Sequence, residues 1–176
     1  MILGTKERFA VQWELDRDPG GGLLLGKVCF WVSNTRIGDY ELGTSLSDVL
    51  VNLQYPVGDC GNRYSQRFCC MDANNVFHLV QSGLFDSDPS LSQLAEDESW
   101  ARFDISLPVD VFDGYRIYLL DCLDNSRLLI GNRPSHLDYY IFMLEQQLVK
   151  GEFDEVVRSF QKALETEFQA NSITQY

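Results

Sequence analysis

Gly21 to Lys27 reads G-x-x-x-x-G-K, the spacing with which a phosphate-binding loop wraps backbone N–H groups and a lysine around a nucleotide. The following residue is Val28, where magnesium needs a Ser or Thr hydroxyl. Leu23-Leu24-Leu25 fills the loop, and a strand pattern follows where a helix N-terminus is required. The spacing is therefore turn chemistry. His78 and His136 are the only two histidines, and neither has a Cys or Asp at ligand spacing. No H-E-x-x-H, C-x-x-C or G-x-S-x-G occurs. Asp86-Ser87-Asp88 and Asp121-x-x-Asp124 offer hard oxygens, yet lack the alternating ligands, central glycine and closing glutamate of a calcium loop. Paired carboxylates for sugar hydrolysis stay open, because 26 acids can meet in space without a sequence signature. The expectation is a protein that is not an enzyme, with no catalytic, cofactor or metal residues.

The charge is more informative. Fourteen Lys and Arg against 26 Asp and Glu leave a formal net charge of −12, a surface that repels phosphate backbones and anionic lipid. Direct nucleic-acid binding and membrane binding are thereby disfavoured. The acids are concentrated: between positions 86 and 113 stand Asp86, Asp88, Glu96, Asp97, Glu98, Asp104, Asp110 and Asp113, with Arg102 as the only cation. Such a segment would steer a basic partner, an effect that salt weakens. The alternative is a solvated loop.

Cys29, Cys60, Cys69, Cys70 and Cys122 are odd in number, and two lie in apolar strand-like runs. They read as reduced, structural thiols. No apolar run reaches 18 residues, and Met1 to Glu7 lacks a signal-peptide pattern, so the expected location is cytoplasmic.

The elements that would carry these residues follow from periodicity. Phe9, Val11, Trp13 and Leu15 alternate with polar residues as a half-buried strand, and Leu23 to Val32 is apolar on both faces, as in a central strand. Ser33-Asn34-Thr35 predicts a hairpin turn and Arg36 to Leu42 a third strand. Ser45 with Asp48 resembles a capping box for a short helix that Pro56 stops, and Asp72 caps a second helix burying Val76, Phe77, Val80 and Leu84. Residues 85–99 read as a surface loop. Ala101 to Leu107 alternates as a strand, Tyr115 to Cys122 with Arg127 to Ile130 reads as a hairpin, and Tyr139 to Leu144 fits a last strand or a buried helical turn. Glu152 to Gln169 predicts a long amphipathic helix. The expected fold is α+β: a mainly antiparallel sheet of about six to seven strands with helices on one face, including that C-terminal helix. One domain over 1–170 and a frayed tail at 171–176 complete the reading.

Several blocks together resemble a known family: Phe30-Trp31, the run Ile37 to Leu46 with Gly38, Asp39, Tyr40, Glu41 and Gly43, then Asp48-Val49-Leu50. To these add Asp59-Cys60-Gly61-Asn62-Arg63, Arg102-Phe103-Asp104, Val109 to Gly114 with Asp113, Tyr118 to Asp121, and Gly151 to Asp154. The chain resembles the immunity proteins of bacterial polymorphic-toxin and contact-dependent inhibition systems, specifically the immunity protein 42 family. Residues 85–99 and 133–149 lie outside the likeness. None of the blocks is a catalytic signature, and each also reads as turn or core chemistry.

The resemblance implies a small cytoplasmic antitoxin that binds the C-terminal domain of one cognate secreted toxin. The charge fits a basic, nuclease-type toxin domain, whose cleft an acidic protein can occupy. The expected contact residues are Asp86, Asp88, Glu96, Asp97, Glu98, Asp110 and Asp113, with Trp100, Tyr115 or Tyr118 as aromatic anchors. A monomer or weak homodimer is expected. The rival readings are a non-neutralising adaptor or toxin-secretion chaperone, and a hydrolase with paired carboxylates.

Overall fold

A computed structural model describes residues 1–20, 23–85 and 99–173. In chain order its elements begin with strands β1 (Ile2–Thr5), β2 (Phe9–Leu15), β3 (Leu25–Val32), β4 (Thr35–Ile37) and β5 (Thr44–Ser45). Helices α1 (Leu46–Asn52), α2 (Gln54–Gly58), α3 (Gln66–Cys69) and α4 (Ala73–Phe85) follow. Two 3₁₀ turns (Trp100–Phe103 and Asp110–Phe112) lead into β6 (Tyr115–Asp121), β7 (Asn125–Asn132), β8 (Ile141–Val149) and α5 (Glu152–Ile173). The chain, read from sequence as one domain over 1–170, folds into two compact units. One comprises Met1–Gly58, Leu107–Gly114 and Gly151–Tyr176, the other Asp59–Ser106 and Tyr115–Lys150.

In the first unit β1 to β4 pair antiparallel in chain order, and β5 pairs with the far end of β3. The alternation of β2 buries Phe9, Val11 and Trp13 on one face. That face receives α5, with Phe153 packing 4.8 Å from Phe9 and Phe160 5.9 Å from Trp13 between ring centres. Ser33 and Asn34 both take positive φ (50° and 61°), as a tight two-residue hairpin turn requires. The expected third strand, Arg36 to Leu42, is shorter than its pattern: β4 ends at Ile37 because Gly38 turns the chain at φ +101°. Ser45 caps α1 by accepting from the Asp48 N–H at 3.3 Å. Pro56 does not stop that helix. It sits within the first turn of α2, where its missing N–H costs no helical bond, and it is buried there.

The second unit holds the sheet β6-β7-β8, antiparallel throughout, so the strands form two sheets and not one. Its core joins Phe68, Val76, Phe77, Val80, Trp100, Phe103, Tyr118, Leu120 and Leu129. Asp72 caps α4 through the Asn75 N–H at 3.2 Å, and His78 is exposed. Tyr139 to Leu144 resolves as the entry to β8. Ala101 to Leu107 forms no strand: it starts as a 3₁₀ turn and then meets β6 at an isolated Asp104–Tyr118 bridge and through Ser106 Oγ on Ile117, although Phe103, Ile105 and Leu107 are buried alternately as the pattern implies. Arg127 is buried and satisfied, bonding Glu145 at 2.6 Å and the carbonyls of Phe68 and Met71 at 2.7 and 2.9 Å.

Two further expectations need correcting. Cys69, at the end of α3, and Cys122, just past β6, form a disulfide with Cα atoms 5.7 Å apart, so not all five cysteines are free thiols. Their 53-residue separation gave no local signal. The last helix continues to Ile173, through the start of the expected tail; residues 174–176 lie outside the described residues.

The tightest packing in the second sheet is at Gly131, where an added Cβ would fall 2.0 Å from Phe77 Cζ. Gly131→Ala is expected to destabilise the fold by about 1–3 kcal/mol through overpacking. A lower thermal midpoint is the readout; an unchanged one would contradict this packing.

Candidate partner-binding surface

The family-like blocks, scattered in sequence, gather into two groups. In the first unit the turn after β4 sits on the 3₁₀ turn Asp110–Phe112. Gly38 leaves room for the Phe112 ring, which a Cβ would meet at 2.8 Å, and the Asp39 N–H donates to the Val111 carbonyl at 2.8 Å. Asp39 Oδ1 accepts from the Glu41 N–H at 3.1 Å, fixing the turn locally. Its outward side carries four exposed acids, Asp39, Glu41, Asp110 and Asp113. Gly43, at φ +72°, returns the chain toward β5, and Gly114 follows Asp113 into the next unit's first strand.

This turn borders the face of the first sheet opposite α5. Tyr40 donates to Glu14 Oε2 at 3.4 Å, and Lys27 pairs with Glu41 at 3.2 Å. The hydrogen bond to Glu41, ahead of its charge, holds the Lys27 pKa above the usual lysine value. Trp31 is half-buried on the same face, donating from Nε1 to Gln12 Oε1 at 2.9 Å with Lys6 Nζ 3.8 Å above its ring centre. Partial burial and the neighbouring Glu14 raise the Tyr40 pKa. Trp31 stood in a family-like block, whereas Lys6, Gln12 and Glu14 were not singled out as site residues. Their signal was the period-two pattern that places Gln12, Cys29 and Trp31 on one face by register.

In the second unit Asp59, Cys60, Gly61 and Asn62 form a turn closed by the Asn62 N–H on the Asp59 carbonyl at 2.9 Å, with Gly61 at φ +82°. It delivers Arg63 into the interior at 0% exposure, 4.0 Å from Asp121, whose other oxygen accepts from Ser126 Oγ at 2.7 Å. Asp104 bonds the Ser106 N–H at 2.9 Å. These blocks do turn and core work.

The expected contact residues separate. Asp86, Asp88, Glu96, Asp97 and Glu98 lie outside the described residues. Asp110 and Asp113 are exposed, and Tyr115 is half-buried. Trp100 and Tyr118 are not surface anchors: they are 4% and 0% exposed, because Trp100 stacks on Phe68 and Tyr118 packs on Phe77. The Tyr118 hydroxyl donates to Gln81 at 2.7 Å, so its polar end is satisfied internally and burial raises its pKa strongly. Among the described residues no group of three His, Cys, Asp or Glu could hold a metal ion.

Sequence comparison matches the chain to the family described as Immunity protein 42 over residues 1–163. The chain belongs to the immunity protein 42 family. It is thus an immunity protein, and the earlier resemblance is upheld. Among solved structures, the crystal structure of CdiI from Burkholderia dolosa AUO158 superposes with a TM-score of 0.70, covering 93% of this chain and 99% of that chain at 17% identity. At that identity the likeness is one of fold. No curated protein matches the chain. Of the expected acidic contact residues, Asp110 and Asp113 are among the described residues, and both are exposed beside the turn Asp39–Glu41.

Cys29, opposite Gln12 in the β2–β3 register, is fully buried, and burial pushes its thiol pKa up to about 11. At pH 8 the native protein is expected to leave Cys29 unalkylated by iodoacetamide while exposed Cys70 reacts, and unfolding should release Cys29. Peptide mass mapping reads this; prompt modification of native Cys29 would contradict the packing.

Proposed function

We propose that this immunity protein acts in the cytoplasm as the antitoxin of a contact-dependent growth-inhibition system, binding the C-terminal domain of a cognate secreted toxin and neutralising it without catalysis. The observation that carries the reading is the family match across residues 1–163. The net charge of −12 and the exposed acids at Asp39, Glu41, Asp110 and Asp113 favour a basic toxin domain of the nuclease type. An acidic surface competes with nucleic acid for such a cleft, and the acids of positions 86–98 would add to its field. The partner is a protein, with no direct role for nucleic acid or membrane; no described helix is long and apolar enough to cross a bilayer. The antitoxin is a monomer or weak homodimer until it meets the toxin. In a reducing compartment Cys69 and Cys122 would persist as a neighbouring dithiol.

Co-expression with the toxin domain encoded beside it should restore growth, whereas an adaptor would bind without rescue. Two sets of reversals to lysine, one at Asp86, Asp88, Glu96, Asp97 and Glu98 and one at Asp39, Glu41, Asp110 and Asp113, should each slow association about tenfold or more at low salt. Rescue with unchanged association rates would remove the acidic docking and leave neutralisation standing.

A further inference from the structure

Six cations find a carboxylate or a carbonyl among the described residues. Arg8 pairs with Glu152 at 3.0 Å, Lys27 with Glu41 at 3.2 Å, Arg63 with Asp121 at 4.0 Å and Arg127 with Glu145 at 2.6 Å. Arg102 and Lys150 bond the carbonyls of Tyr64 and Leu123. Arg116 and Arg133 instead share one aromatic ring. Both guanidinium groups converge on the ring of Tyr140, at 4.7 and 5.5 Å from its centre, and Arg116 also lies 5.0 Å from the centre of Phe85. Neither has an ion pair among the described residues, and Arg116 Nε is buried with no hydrogen-bond partner.

Two guanidinium groups on one ring repel each other, and the ring's quadrupole offsets only part of that. In a protein with nearly twice as many acids as bases, both lack a carboxylate among the described residues, which keeps their bidentate donors available. The surroundings suit a contact. Pairing register places Tyr115, Asn132 and Ile141 in one row at the end of the second sheet, with Arg116 beside Gly131 one row in. Tyr139 is 60% exposed next to the buried Tyr140, and Ile141 and Met143 are exposed along β8. Arginine and tyrosine are among the residues enriched in binding hot spots.

We infer that Arg116 and Arg133, held on Tyr140, form a receptor for a carboxylate side chain of the toxin domain, with the exposed Tyr139 beside them. This rests on the antitoxin reading and adds a contact of opposite sign to the acidic one. A partner that is basic overall but carries an acid at this point is thereby fixed in orientation, because a two-signed pattern penalises wrong registers. A phosphate group is the poorer occupant, since the net charge of −12 repels the polyanion around it.

The test is the affinity of the purified toxin domain encoded beside the gene, by titration calorimetry, for the wild type and for Arg133→Gln, Arg133→Glu, Arg116→Lys and Tyr139→Ala. Arg36→Gln, an exposed arginine in the other unit, is the control. Arg133→Gln should weaken binding about tenfold and Arg133→Glu more, with melting temperatures unchanged because Arg133 is exposed. Arg116→Lys should lose affinity despite keeping its charge, since the planar fork is what the site uses. A toxin acid whose change to arginine restores binding to Arg133→Glu identifies the carboxylate. If Arg133→Glu and Tyr139→Ala both bind like the wild type while the wild type binds tightly, the receptor assignment is overturned and the antitoxin reading survives. Should the wild type fail to bind the toxin domain, the antitoxin reading falls and takes this inference with it.

Discussion

The first unit depends on the register of β3. This strand pairs with β2 along its length and with β4 and β5 at its two ends, so every side chain on the sheet is assigned a face by one alignment. A slip of one residue would exchange Phe30 and Trp31, placing an aromatic core residue in solvent and an indole with a lysine over it in the core. Close backbone approach at Gly26, where a Cβ would meet the Glu14 carbonyl at 2.3 Å, locks that alignment. With β3 fixed, Ile37 ends its short partner, Gly38 turns over Phe112, and Asp39 to Glu41 emerge facing outward. The exposed acids are thus a consequence of core geometry.

The second unit is arranged on the same logic around β7, which is paired on both edges and buried along most of its length. Its two ends differ in chemistry. Near Asn125 it carries Arg127, paired with Glu145, and Ser126, which donates to Asp121. At the Asn132 end stand Tyr115, Arg116, Arg133 and Tyr140, where cations meet rings. The first unit thus carries exposed acids on its turn, and the second a pair of arginines on one ring. For a protein whose work is to hold one partner, opposite signs on separate patches supply orientation, while the large net charge supplies encounter rate.

Much of this was legible in the sequence wherever a local rule was strong. The alternation in β2, the caps at Ser45 and Asp72, and the stripe of Phe153, Val157, Phe160 and Leu164 all specify elements that the structure contains. What was not legible depended on partners distant in the chain. Nothing local tells Cys69 that Cys122 lies beside it, or divides the strands between two sheets when β5 is only two residues long. Trp100 and Tyr118 looked like surface anchors because their polar ends suit interfaces, yet Tyr118 finds Gln81 across 37 residues. The blocks shared with the family split likewise: Arg63 and Asp121 are interior, while Tyr40 and Glu41 reach the surface, a distinction that burial alone reveals.

We propose that a field of negative charge brings a basic toxin domain onto this immunity protein. Stopped-flow association with the purified toxin domain, measured across a range of ionic strength, tests it most directly. The rate constant is expected to fall steeply as salt rises, with dissociation changing little. An association rate indifferent to salt would contradict electrostatic capture and require a contact built on shape and apolar burial alone.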